Sequence, residues 1–125
     1  MQDSRTRVLY VEDEPSLAEL LRSGLGIFGI LVSPIYCSAE ELLSKRGSTE
    51  YSLANVLILD IRLPGLTGLE LARKLRGDGE RRPIVIVSAY NRPESEVLEE
   101  LGASFQPKPF DFDAIVRVIQ SVVKS

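Results

Sequence analysis

Five residues carry the chemistry available to this chain: Glu12, Asp13, Asp60, Ser88 and Lys108. Four of them stand at or just past the end of a short apolar run and Lys108 follows a short segment near Phe105, so a fold that aligned those segments would bring all five to one rim. Three carboxylates in one crevice repel each other and lose hydration, unless a cation joins them. Mg²⁺ fits that need, because it takes oxygen ligands from one or two carboxylates and completes its octahedron with water and phosphate oxygens. Lys108 adds a compact positive charge and Ser88 a hydroxyl that can donate to an oxyanion. Together these groups make a phosphoryl-transfer set. A carboxylate in it can itself be the nucleophile, forming an aspartyl-phosphate while the cations neutralise the equatorial oxygens.

Composition narrows the alternatives. The chain contains no histidine, which removes imidazole bases, Ser-His-Asp and Cys-His systems and His-ligated metals. Its single cysteine, Cys37, excludes an internal disulfide and a Cys-rich zinc site, and a reducing, cytoplasmic setting is the simplest home. Cys37 itself reads as a small, buried or half-buried apolar residue. With 15 Lys and Arg against 18 Asp and Glu, the net charge of −3 gives no basic field for direct nucleic-acid binding or an anionic membrane. The apolar runs are far shorter than the roughly 20 residues of a membrane span. The polar start, Met1-Gln2-Asp3-Ser4-Arg5, does not resemble a secretory signal.

The elements that must position the five residues are legible as alternating patterns. Val8–Val11, Val56–Leu59 and Ile84–Val87 are continuously apolar, as strands buried on both faces of a parallel sheet are. The run at 30–36 contains Pro34, which would break a central ladder, and is expected at a sheet edge. A short fifth strand is expected near Phe105. Helices are expected on the stripe Leu17, Leu20, Leu21, Leu25 and Phe28, with Pro15 at its first position, then from Ser38 through Leu43 and on Leu69, Ala72 and Leu75. Two more follow, on Val97, Leu98 and Leu101 with Gly102 as its stop, and on Ile115 to Val123 with Asp111 or Asp113 at its start. The segments 45–55 and 77–83 read as polar connections. At 125 residues the chain makes one α/β domain. Ligands of such open sheets bind beyond the carboxyl ends of the strands.

The segments VEDEP, LILDIRLPGLTGLEL, VIVSA and QPKPF, in this order and spacing, resemble the receiver domain of two-component response regulators, the CheY-like superfamily. The resemblance covers essentially all of residues 1–125. It implies a flavodoxin-like, doubly wound, five-stranded parallel sheet in the order 2-1-3-4-5 with five helices. It implies that Asp60 is the phosphoacceptor and that Asp13, Glu12 through water, Asp60 and the backbone carbonyl of Arg62 hold Mg²⁺. Ser88 and Lys108 would contact the phosphoryl group, and a cis peptide would join Lys108 to Pro109. Ser88 and Phe105 would form the switch, Phe105 standing where tyrosine is usual, and Arg62 and Tyr90 would tune autodephosphorylation. The phosphoryl donor would be a sensor histidine kinase or histidine phosphotransfer protein. The reporting surface would be the face of the fourth helix, fifth strand and fifth helix, read by an output domain, a target protein or a second copy in a homodimer. Such a domain catalyses only its own phosphorylation and dephosphorylation.

Two other functions compete. A Mg²⁺-dependent phosphatase of the haloacid-dehalogenase type needs a second acid two residues after its nucleophile, and that position is Arg62. A phosphorylation-independent interaction module would not need the acidic pair, Asp60 and Lys108 together. Glu94, Glu96, Glu99 and Glu100 read as a solvated helix face. Gly65 and Gly68 read as turn and helix-entry residues, since no phosphate-cradling glycine motif is present.

Overall fold

The computed structural model describes residues 5–90 and 92–124, so the polar start at 1–4 lies outside the described residues. Five strands, β1 (Arg7–Val11), β2 (Leu31–Tyr36), β3 (Val56–Asp60), β4 (Ile84–Ser88) and β5 (Ala103–Pro107), form one sheet. All neighbours pair in parallel, in the order β2-β1-β3-β4-β5. Six helices are interleaved: α1 (Pro15–Ile27), α2 (Ala39–Ser44), α3 (Thr49–Leu53), α4 (Gly68–Gly77), α5 (Ser95–Leu101) and α6 (Phe112–Lys124).

Alternation along the strands sorts the core into two layers. Leu9, Leu57, Leu59, Ile84 and Ile86 pack with residues of α2 to α5, whereas Val8, Tyr10, Val56, Ile58, Val85 and Val87 pack with α1 and α6. β3 and β4 are buried at every position, which is why their sequences show no polar alternation. Each fully buried aliphatic side chain contributes about 1.5–3 kcal/mol of transfer free energy, so these central strands are the anchor of the domain. β2 lies at the sheet edge, as Pro34 requires. Its register against β1 shifts around that residue, from Val8↔Val32 to Tyr10↔Ile35.

Three expectations are corrected. There are six helices among the described residues, not five, because 49–53 in the supposed connection is helical. Ser48 Oγ accepts from Tyr51 N at 3.2 Å, and the buried Tyr51 pins the turn to the core. A single anchoring residue gives too little periodicity to be seen. Cys37 is exposed, since it lies past Tyr36, the last paired residue of β2. The stripe on α1 is narrower than it reads, with Leu20 49% and Phe28 45% exposed while Leu21 and Leu25 are fully buried.

Two glycines set how the helices meet the sheet. Gly102 ends α5 with φ of +61°, a left-handed stop that lets the chain turn directly into β5. Gly68 opens α4 so close to the end of β3 that a Cβ there would collide with the backbone carbonyl of Asp60. Thr67 closes the entry as a capping box, its hydroxyl accepting from Glu70 N at 3.1 Å while Glu70 Oε1 accepts from Thr67 N at 2.9 Å.

Candidate functional site

Because the strands are parallel, their carboxyl ends share one rim. β1 leads into Glu12 and Asp13, β3 ends on Asp60, β4 ends on Ser88, and β5 leads into Lys108. Glu12, Asp60 and Ser88 are buried, and Asp13 is exposed. One oxygen from each of Glu12, Asp13 and Asp60 lies within 4.8 Å of the others. They share the wall of a cleft of about 500 Å³ with Arg62, Tyr90 and Lys108.

Lys108 bridges the two buried acids. Its Nζ donates to Glu12 Oε1 at 2.6 Å and to Asp60 Oδ2 at 3.0 Å. The peptide from Lys108 to Pro109 is cis, as expected, and so is Ser33–Pro34. Lys108 N donates to Ser88 O at 2.9 Å, which ties its loop to the end of β4. Burial opposes the Lys108 charge, but the two carboxylates outweigh it and raise its pKa.

The two acids are held differently. Burial works against the charge of Glu12, yet hydrogen bonds from Lys108, Tyr10 and the Glu14 amide keep its carboxyl below the usual range. Asp60 is pushed up to about 6, first by burial and then by the charge of Glu12, with Lys108 only partly offsetting them. Glu12 is therefore held as the anion, whereas burial works against the Asp60 anion despite its contact with Lys108. Three carboxylates that bring oxygens together in one cleft suit a hard divalent cation, so the residues present fit Mg²⁺.

The remaining expected residues divide. Arg62 and Tyr90 meet over the cleft, the Arg62 guanidinium carbon lying 4.3 Å from the ring centroid. Arg62 N also points at Asp60 Oδ1, at 3.4 Å. Ser88 is buried behind the cleft wall, its Oγ accepting from Tyr90 N at 3.0 Å. Phe105 is not in the cleft. It packs, half-buried, on the α2–α5 layer and lines a groove beside α5, with Arg92 5.7 Å from its ring centroid.

Sequence reasoning missed Tyr10, whose hydroxyl donates to Glu12 Oε1 at 2.8 Å. Within Val8-Leu9-Tyr10-Val11 it reads as one more buried strand residue. The available signal was a hydroxyl two positions before Glu12, close enough along the strand to reach it.

Comparison with known proteins places these features among relatives. The family model described as "Response regulator receiver domain" matches residues 8–120. The two-component response regulator PhoP of Pseudomonas aeruginosa is 33% identical over 121 residues, covering 94% of this chain and 52% of the relative. The response regulator RppA of Synechocystis is 38% identical over 114 residues, covering 83% of this chain and 44% of the relative. The chain thus spans about half the length of these curated relatives. Among solved structures, a CheY-like receiver domain from Methanospirillum hungatei is 26% identical with a TM-score of 0.81, covering 97% of this chain and 95% of that one. TrrA of Thermotoga maritima, determined in complex with Mg²⁺-BeF, is 29% identical with a TM-score of 0.79, covering 94% and 98%.

Proposed function

Since this chain belongs to the response regulator receiver domain family, we propose that it is a phosphoacceptor switch in which Asp60 takes a phosphoryl group from a histidine on a partner protein. The observation that carries this reading is the pairing of Lys108 with two buried carboxylates, Glu12 and Asp60, beside a third, Asp13, in one cleft. The partner is a sensor histidine kinase or a histidine phosphotransfer protein, since this chain has no histidine of its own. In the transfer, an Asp60 oxygen attacks phosphorus as the phosphorus–nitrogen bond breaks. The electron pair of that bond stays on the leaving imidazole, which takes a proton from solvent.

Glu12, Asp13, Asp60 and the backbone carbonyl of Arg62 are the groups that would hold Mg²⁺, which when bound supplies charge neutralisation for the phosphoryl oxygens. Lys108 neutralises the same oxygens from the β5 side. Ser88 must rotate its hydroxyl toward them, giving up its contact with Tyr90 N. Phe105 then turns inward behind it, changing the α5-β5-α6 face that an output domain, a target protein or a second copy reads. Arg62 and Tyr90, stacked over the cleft, control access of water to the acyl phosphate.

Incubation with a radiolabelled acyl phosphate and Mg²⁺ tests the reading. Label is expected on the wild type and not on Asp60→Asn, and equal labelling of both would sink it.

A further inference from the structure

The buried hydroxyl of Tyr10 has no part in the scheme above, yet it touches the site. Tyr10 is fully buried in the α1–α6 layer, between Ile35 and Ile58 on the neighbouring strands. Its hydroxyl donates at 2.8 Å to Glu12 Oε1, the same oxygen that receives Lys108 Nζ at 2.6 Å. Among the described residues the other oxygen, Oε2, accepts a longer bond from Glu14 N, at 3.2 Å.

This arrangement matters on the phosphoacceptor reading, in which phosphoryl oxygens beyond the Asp60 carboxyl would draw the Lys108 ammonium outward, away from Glu12. Glu12 is only 3% exposed and recovers little of that contact from bulk water, and any Mg²⁺ it helps to hold is shared with Asp13 and Asp60. A buried carboxylate left short of partners would hold Lys108 back.

We propose that Tyr10 is a positioning residue: its hydroxyl holds the Glu12 anion when Lys108 turns to the phosphoryl group, so that the ammonium is free to move. The proposal rests on the phosphoacceptor reading and adds to it a residue that acts only through Glu12. Replacing the ring by phenylalanine keeps its shape and removes only the hydroxyl.

Beryllofluoride, a mimic of the phosphoryl group on aspartate, is the probe, titrated calorimetrically with saturating Mg²⁺. Tyr10→Phe is expected to weaken binding about fivefold, as the loss of part of a charge-assisted buried hydrogen bond would. In a Glu12→Gln background, with Mg²⁺ raised to saturate that weakened site, the same substitution should have no further effect, because the anion it serves is gone. Equal affinity of Tyr10→Phe and wild type, or the same fivefold loss in both backgrounds, would overturn the proposal. A second measurement needs no Tyr10 variant: the Tyr10 ring resonances should shift on beryllofluoride binding in the wild type and not in Glu12→Gln. An unmoved wild-type ring overturns it as well. If the wild type does not bind beryllofluoride at all, the phosphoacceptor reading falls first, and this inference with it.

Discussion

Burial, and then the neighbouring charge of Glu12, work against the Asp60 anion. An acid whose folded pKa is raised contributes stability that is complete below its unfolded pKa and is lost as pH climbs through the folded one. For Asp60 that window runs from its ordinary 3.8 to about 6. Without Mg²⁺, Asp60→Asn is therefore expected to be more stable than wild type by about 1–3 kcal/mol near neutral pH, with no advantage below about pH 4. Thermal unfolding at the two pH values checks it, and a neutral or destabilised variant at pH 7 would contradict it. Lys108 behaves oppositely. Lys108→Ala leaves Glu12 and Asp60 buried without their shared cation and is expected to cost about 3–5 kcal/mol, seen as a lower denaturant midpoint. Asp13 and Asp60 stood out in the sequence because charged residues at the ends of apolar runs are conspicuous, and Lys108 because it lies between Pro107 and Pro109 after the fifth strand segment. Tyr10 was not, because its ring satisfies the strand pattern and conceals the polar end.

At the level of elements, α4 is the tightest constraint on the acceptor. Its first residue leaves no room for a side chain against the Asp60 carbonyl. Gly68→Ala is expected to destabilise by about 1–3 kcal/mol and to slow Asp60 phosphorylation as well, because relief of the clash must move the end of β3. Unchanged labelling kinetics would show that the strand end tolerates the shift. Opposite the cleft, the loop before β4 is closed by Arg82, which grips Glu80 at 2.7 and 3.0 Å and donates to the carbonyls of Tyr51 and Ala54 at 2.6 and 3.1 Å. The Arg82 side chain first, then the Arg82 amide and the Tyr51 hydroxyl, which all donate to the Glu80 carboxylate, hold Glu80 at about 2, below its ordinary 4.5. A lowered acid stabilises above its unfolded pKa and loses that contribution as pH falls through the folded one. About 1–2 kcal/mol is expected to disappear between pH 4.5 and about 2 in wild type and not in Glu80→Gln. This network explains why 45–55 looked like a bare connection. The side chains that order it belong to residues some 30 positions later, as the Arg82 to Tyr51 separation of 31 shows.

For the whole molecule, a parallel sheet with helices on both faces follows from the continuous apolar runs and the right-handed crossover rule, whereas the strand order was legible only through the family resemblance, and which helix packs on which face appears only in the structure. What could not be read is where half-buried side chains settle. Phe105 lies in the middle of the edge strand β5 and Cys37 just past the end of β2, places where one residue of register decides between core and surface. Cation binding acts on the entire fold: Mg²⁺ at a hundredfold excess over its dissociation constant is expected to add about 2.7 kcal/mol of stability. Asp13→Asn should abolish most of that gain while leaving the fold intact, since Asp13 is exposed.

The stack of Arg62 on Tyr90 has one more consequence. The chain has no tryptophan and four tyrosines, so its ultraviolet emission comes from tyrosine alone. Tyr90 is 63% exposed and lies over the cleft against a guanidinium, while Tyr10, Tyr36 and Tyr51 are buried. The protein thus carries its own optical probe at the mouth of the cleft. Occupancy there can be followed without a dye, and Tyr90→Phe supplies the blank.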